Sequence, residues 1–287
     1  MSEKKVKRNE CYISGEVVNI SDIRRVNQGT GAEALTYKLH IETAPNEIRV
    51  VEYYTNMFKS DGSPNTIYTG IKTIANEIKT RVENGVGDKV NCNCILDDNS
   101  YYSNGELIEV TKISGNFCNR EEEGKTITPN QLWRADVLID EIEERTDAKG
   151  EYTHVKGLVN KFGKNGIYVN FRIHDPEMRE GFKSLYKVGT VGKLEGTFEE
   201  IITEEQRETK GFGTRNRPKR TIDRYLEIAG GDEPVEADKI TDKTHPFNVD
   251  NVQAMRSKIN EKLEKSKAKD AAKNANTQTV GDDSLPF

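Results

Sequence analysis

The fourteen residues from Arg207 to Arg220, RETKGFGTRNRPKR, carry six basic side chains and one acid, a local charge of +5 in a chain whose net charge is −5. Closely spaced cations suit phosphates. Phe212 stands between Gly211 and Gly213, where a core has little hold on it, and an exposed ring accepts a stacked base of any identity. Lys210, Phe212, Arg215, Arg217, Lys219 and Arg220 are therefore the first candidates for contact with a nucleic acid. A second group lies on GIYVNFRIH. Ile167, Val169, Phe171 and Ile173 alternate with Tyr168, Asn170, Arg172 and His174, so a strand here turns its apolar side to a core. The other side then presents an aromatic ring and an arginine two residues apart, with Lys156 on the preceding strand, a pairing that suits a base beside a phosphate. A solvated basic loop and an ordinary cross-strand aromatic pair produce the same patterns. The glycine-flanked phenylalanine tilts the reading toward nucleic acid.

The first half of the chain offers weaker counterparts. Lys38, Arg49 and Tyr53 are read as outward positions on ALTYKLHIE and EIRVVEYYT, with Arg24 and Arg25 in the loop after the first strand. Tyr101 and Tyr102 sit in the polar loop DDNSYYSNGE, which has no cation of its own to hold a phosphate. Catalytic signatures are missing: no H-E-x-x-H, no phosphate-binding loop ending in Lys-Ser/Thr, no G-x-S-x-G. The histidines are scattered, and Asp97–Asp98 lies where nothing would preorganise a metal. A binding protein without cofactor is expected, not an enzyme. Of the cysteines, Cys92 and Cys94 share one face of KVNCNCIL and read as buried thiols in a reducing compartment. A zinc site stays open if Cys11 and Cys118 fall on neighbouring strands.

The elements that must position these residues are mostly strands. The 287 residues suffice for roughly two domains of about 150 residues, and 32% of them are charged, with a mean hydropathy of −0.78. No apolar run approaches membrane-spanning length, and MSEKKVKRNE lacks the apolar stretch of a secretion signal. The expected location is the cytoplasm, that of a bacterial host if the chain is viral. From Cys11 to Asn119 the pattern reads β-β-β-α-β-β, the helix being TGIKTIANEIKTRV with Ile71, Ile74, Ile78 and Val82 on one face. The second half repeats the order, with a short helix opened by Asp175–Pro176. Five strands with a helix after the third is the order of the OB-fold; another small barrel or sandwich has similar periodicity. The expected architecture is mainly β: a charged arm to residue 10, OB-like five-stranded barrels over 11–119 and 132–231 joined by a linker at 120–131, a linker and C-terminal helix over 232–273, and a disordered tail over 274–287. Val249, Val252, Met255, Ile259 and Leu263 mark the apolar stripe of that helix, while KSKAKDAAKNANTQTV has almost nothing to bury and is expected to be a mobile tether.

The chain closes on Asp282, Asp283, Ser284, Leu285, Pro286 and Phe287. This ending resembles the C-terminal tip of bacterial single-stranded DNA-binding proteins. Two barrels and a helix ahead of such a tip resemble the single-stranded DNA-binding proteins of bacteriophages. The resemblance implies that Phe287 enters an apolar pocket on a partner with Pro286 and Leu285 beside it, while basic residues there hold the terminal carboxylate, Asp282 and Asp283; carboxylate capture of this kind is a general recognition mode. Ser284, between the acids and Leu285, and the presence of only two acids depart from the bacterial pattern. The expected function is sequence-independent binding of single-stranded DNA in replication, recombination or repair, with enzymes recruited through the tip. The alternative is a replisome interaction factor whose barrels bind proteins.

Overall fold

The computed structural model describes residues 9–27, 29, 32–122, 124–205 and 219–278, leaving aside the side chains of 205, 219 and 275–278. The first half holds β1 (Asn9–Val26), β2 (Ala34–Ala44), β3 (Glu47–Asn56), α1 (Thr66–Glu77), the single turn α2 (Arg81–Asn84), β4 (Lys89–Asp98), a small hairpin of β5 (Tyr101–Ser103) and β6 (Glu106–Ile108), and β7 (Thr111–Arg120). The second half holds β8 (Asn130–Asp147), β9 (Gly150–Phe162), β10 (Asn165–Ile173), α3 (Pro176–Leu185), β11 (Thr190–Glu205) and β12 (Lys219–Gly231). The short β13 (Val235–Glu236) and the long α4 (Val249–Gln278) follow. Strands pair in the order β1-β2-β3-β7-β4 and back to β1, then β8-β9-β10-β12-β11 and back to β8. One pair in each circuit runs parallel, β3 with β7 and β10 with β12. These are two tandem OB-fold barrels, as the repeated element order implies.

Each barrel is filled by alternate residues of its strands. Leu35, Tyr37, Leu39 and Ile41 are buried in the first; Ile167, Val169, Phe171 and Ile173 in the second, with Trp133 against Phe171 at 4.9 Å between ring centroids. β1 and β8 are long because each pairs within its own barrel and also with the other. Their N-terminal halves pair with one another, Cys11 opposite Trp133, so that both barrels share a continuous sheet. Where β1 passes from β4 to β2, a Cβ on Gly15 would stand 2.0 Å from the carbonyl oxygen of Glu42, an approach only glycine permits.

The helices differ in part from the sequence expectation. Asp175 caps α3 by accepting a hydrogen bond from the Met178 amide at 2.9 Å. The helix expected to run through Val82 instead stops at Ile78, because Thr80 caps a separate turn by accepting from the Glu83 amide. Ile71, Ile74 and Ile78 are buried; Val82 is exposed. The stripe on α4 docks on the second barrel: Val252, Met255 and Ile259 join Phe247 against Leu138, Leu158 and Val191, with Leu263 at the margin and Val249 outside it.

The expected tether is a correction: α4 continues to Gln278. Lysine and alanine are good helix formers even without apolar burial, and polar contacts anchor this stretch. Asn104 and Gly105 turn the β5–β6 hairpin with positive φ, and Asp270 accepts from both of their amides, at 3.2 and 2.8 Å. Ser266 Oγ accepts from the Tyr102 amide at 3.0 Å. α4 is thus a strut from the second barrel to the first. No helix among the described residues is long and apolar enough to cross a membrane.

Candidate nucleic-acid interface

An OB barrel binds on the face of its second and third strands and with the loops at their mouth. In the second barrel these strands are β9 and β10, and their outward side chains emerge as the alternation demands. Arg172 lies between two rings, its guanidinium carbon 5.0 Å from the Tyr152 centroid and 4.5 Å from that of Tyr225. It also donates to Asp147 at 2.8 Å and to Asp223 at 2.7 Å. Burial would lower its pKa, but Asp223 outweighs that and holds it raised. His174 shares Asp147 and sits 2.7 Å from Glu227. Both tyrosine rings are therefore covered, and the arginine is already neutralised by acids.

This face and the first barrel wall a common groove of about 650 Å³. Val50 and Glu52 of β3 and residues 109–113 line one side; Tyr152, His154, Asn170 and Arg172 line the other. The base of the β11–β12 ribbon closes it, and the ribbon runs on in register to Glu205 opposite Lys219. The basic loop joins these two strands. The lysines at the groove are held by acids. Lys156 donates to Glu109 across the two barrels at 2.6 Å, and Asn170 donates to the same carboxylate. Burial would raise the Glu109 pKa, but these two hydrogen bonds outweigh it and hold the carboxyl below its usual range. Glu52 lies 3.5 Å from Lys38 and 3.2 Å from Lys112.

The remaining sequence candidates are divided. Lys38 is outward and also paired with Asp22 at 3.2 Å. Arg49 and Tyr53 are corrections: both point inward. Tyr53 is 0% exposed and stacked on Tyr37 at 4.9 Å. Arg49 is 2% exposed and binds Gln131, Glu47, Glu200 and the Phe198 carbonyl, so it ties β3 of the first barrel to β8 and β11 of the second. With β3 in this phase the outward aromatic is Tyr54, 57% exposed, which the sequence reading missed. Its signal was the doublet Tyr53–Tyr54, one of which must face out.

Arg24 and Arg25 lie on the far end of β1 paired with β2, not in a loop. Tyr101 is exposed on the β5–β6 hairpin, and Tyr102 has the Lys267 ammonium 5.9 Å from its ring centroid, so α4 supplies the cation that loop lacks. Tyr168 lies under the edge of α4, with Lys156 5.5 Å from its ring. Arg220 is exposed on β12. Lys210, Phe212, Arg215 and Arg217, the Lys219 side chain and the tip residues Asp282, Asp283, Leu285, Pro286 and Phe287 fall outside the described residues.

Cys11 on β1 faces Cys94 and Cys118 on β7 faces Cys92, so β4 stands between Cys11 and Cys118 and they are not on neighbouring strands, the arrangement a zinc site required. Nor do their sulfurs form a shell: no three approach within 4.8 Å. Burial pushes the Cys11 and Cys94 thiols up, and a hydrogen bond with Cys118 does the same to Cys92. The sulfurs are not gathered into the tetrahedral shell that a structural zinc ion takes.

The fold is similar to that of the wild-type single-stranded DNA-binding protein from Thermus aquaticus, with a TM-score of 0.50 at 11% identity over 79% of this chain and 93% of that one. A deletion mutant of the same Thermus aquaticus protein gives 0.51 at 12% identity, over 82% and 98%. No curated protein matches the sequence. Residues 7–269 match the model of the YorF family, and the chain belongs to that family.

Proposed function

We propose that this chain binds single-stranded DNA without sequence preference, acts in replication, recombination or repair in the bacterial cytoplasm as a protein of bacteriophage type, and recruits enzymes through its C-terminal tip. The observation that carries the reading is the shared groove. Two OB barrels wall one channel, the strands that the basic segment 207–220 joins close it, and β3 also carries an exposed tyrosine. The likeness in fold to a single-stranded DNA-binding protein supports it. Titration with single- and double-stranded oligonucleotides across a salt series tests it. Single strands bind better, and log affinity falls by about 0.7 per phosphate neutralised for each unit of log salt. Preference for duplex, or tight binding without salt dependence, rejects the reading; no binding to either returns the barrels to protein partners.

The ion pairs at the groove give this proposal a directional test. Phosphates must displace Glu52 from Lys38 and Lys112, and Glu109 from Lys156. Each such exposed pair holds up to about 1 kcal/mol. Glu52→Gln together with Glu109→Gln therefore tightens single-strand binding by about tenfold at low salt and steepens the salt slope. Weaker binding by the double variant places the strand elsewhere.

The tip is read as a handle for proteins. α4 carries the chain to Gln278, and the nine residues beyond it reach at most roughly 30 Å. Asp282 and Asp283 repel phosphates, so deleting 282–287 leaves strand affinity unchanged or slightly tighter. The same deletion abolishes recovery of purified replication or repair enzymes. Phe287→Ala causes most of that loss, because burying the ring is worth about 1.5–3 kcal/mol. Equal recovery by parent and deletion removes the tip from the function.

A further inference from the structure

β8 and β9 bring two carboxylates and an imidazole together on their outward face. Glu143 stands directly opposite His154 in register, and Glu141 lies two residues along β8 with its Oε1 3.7 Å from His154 Nδ1. One donor atom from each of the three lies within 4.8 Å of the other two, the one such group of acids, histidines and cysteines among the described residues. His154 is 6% exposed, and its Nδ1 has no hydrogen-bond partner. A buried ring nitrogen without a partner is uncommon, because desolvation is then uncompensated. A neutral imidazole with a free ring nitrogen offers its lone pair to a metal ion.

We propose that Glu141, Glu143 and His154 form a binding site for a first-row divalent metal ion of the zinc or manganese class at the edge of the groove. One imidazole nitrogen and two carboxylate oxygens suit these ions, whereas magnesium and calcium prefer oxygen alone and leave the nitrogen unmet. Three protein ligands keep further positions open to water or another ligand. Arg145 now neutralises both carboxylates, its Nη2 3.2 Å from Glu141 and 2.7 Å from Glu143. It is the group an incoming ion displaces, and its side chain is 43% exposed, with solvent to turn into. Arg145 and His154 both line the groove, so the ion adds positive charge beside the strand path; that consequence, unlike the site itself, rests on the strand-binding reading.

Calorimetric titration of the full-length protein with zinc chloride near neutral pH, without nucleic acid, tests the site apart from the function. One zinc ion binds per chain, manganese competes and magnesium does not. Glu143→Gln weakens zinc by about tenfold or more, and Arg145→Ala tightens it by removing the competing cation. Both side chains are exposed, so these variants fold even where a His154 substitution does not. Absence of saturable zinc binding, or binding that Glu143→Gln leaves unchanged, as at the cysteines, overturns the proposal. So does weaker binding by Arg145→Ala.

Discussion

Arg49→Met lowers the free energy of unfolding by about 3 kcal/mol, the scale of a broken buried ion pair. The guanidinium donates to Gln131 Oε1 at 2.8 Å, to Glu200 at 3.1 Å, to Glu47 at 2.9 Å and to the Phe198 carbonyl at 2.8 Å. Methionine fills much of the same space but leaves Glu200, 7% exposed, with only the more distant Arg224, at 3.5 Å, among the described residues. An uncompensated buried carboxylate dominates the cost. Adding Glu200→Gln to the variant therefore recovers part of the loss. Arg49→Lys does not, because an ammonium cannot span four acceptors held in a fork. Urea unfolding followed by the fluorescence of Trp133, buried in the second barrel, measures all three. A cost below about 1 kcal/mol makes Arg49 the equal of a surface ion pair and removes its role as the clamp between barrels.

Tyr54→Ala and Phe212→Ala each weaken single-strand binding by about 1–3 kcal/mol where the ring carries a stacked base. Tyr54 is exposed and outside the core, so its loss leaves thermal stability near that of the parent. Neither substitution removes a charge, and the salt slope stays. Arg217→Ala with Lys219→Ala does the opposite: the slope flattens, because phosphate contacts are what release counterions. The two signatures separate stacking from charge in one titration series. Parent-like binding by Tyr54→Ala takes β3 off the strand path, and parent-like binding by all the loop variants makes 207–220 a solvated surface.

Much of the barrel architecture was legible locally. The strict alternation of Ile167, Val169, Phe171 and Ile173 with polar neighbours allows only one inward face for β10, and that face is the buried one. Asp175–Pro176 announces α3, and the Val252, Met255 and Ile259 stripe announces a docked α4. β3 was not legible in the same way. Val50–Val51 and Tyr53–Tyr54 are doublets, and a doublet satisfies a period of two in either phase. Packing of Val51 and Tyr53 against the first core chose one phase and carried Arg49 inward with them.

The C-terminal half of α4 escaped for a related reason. It buries little, and the polar groups that anchor it, the amides of Tyr102, Asn104 and Gly105, come from a hairpin more than 160 residues earlier. The charge state of the groove was equally remote, since Lys156 meets Glu109 only because the barrels share a sheet. Side-chain periodicity and caps act over one or two turns of chain and can be read from the sequence itself. Which acid neutralises which lysine, and which face a doublet presents, depend on segments brought together by folding, and only the tertiary structure decided them.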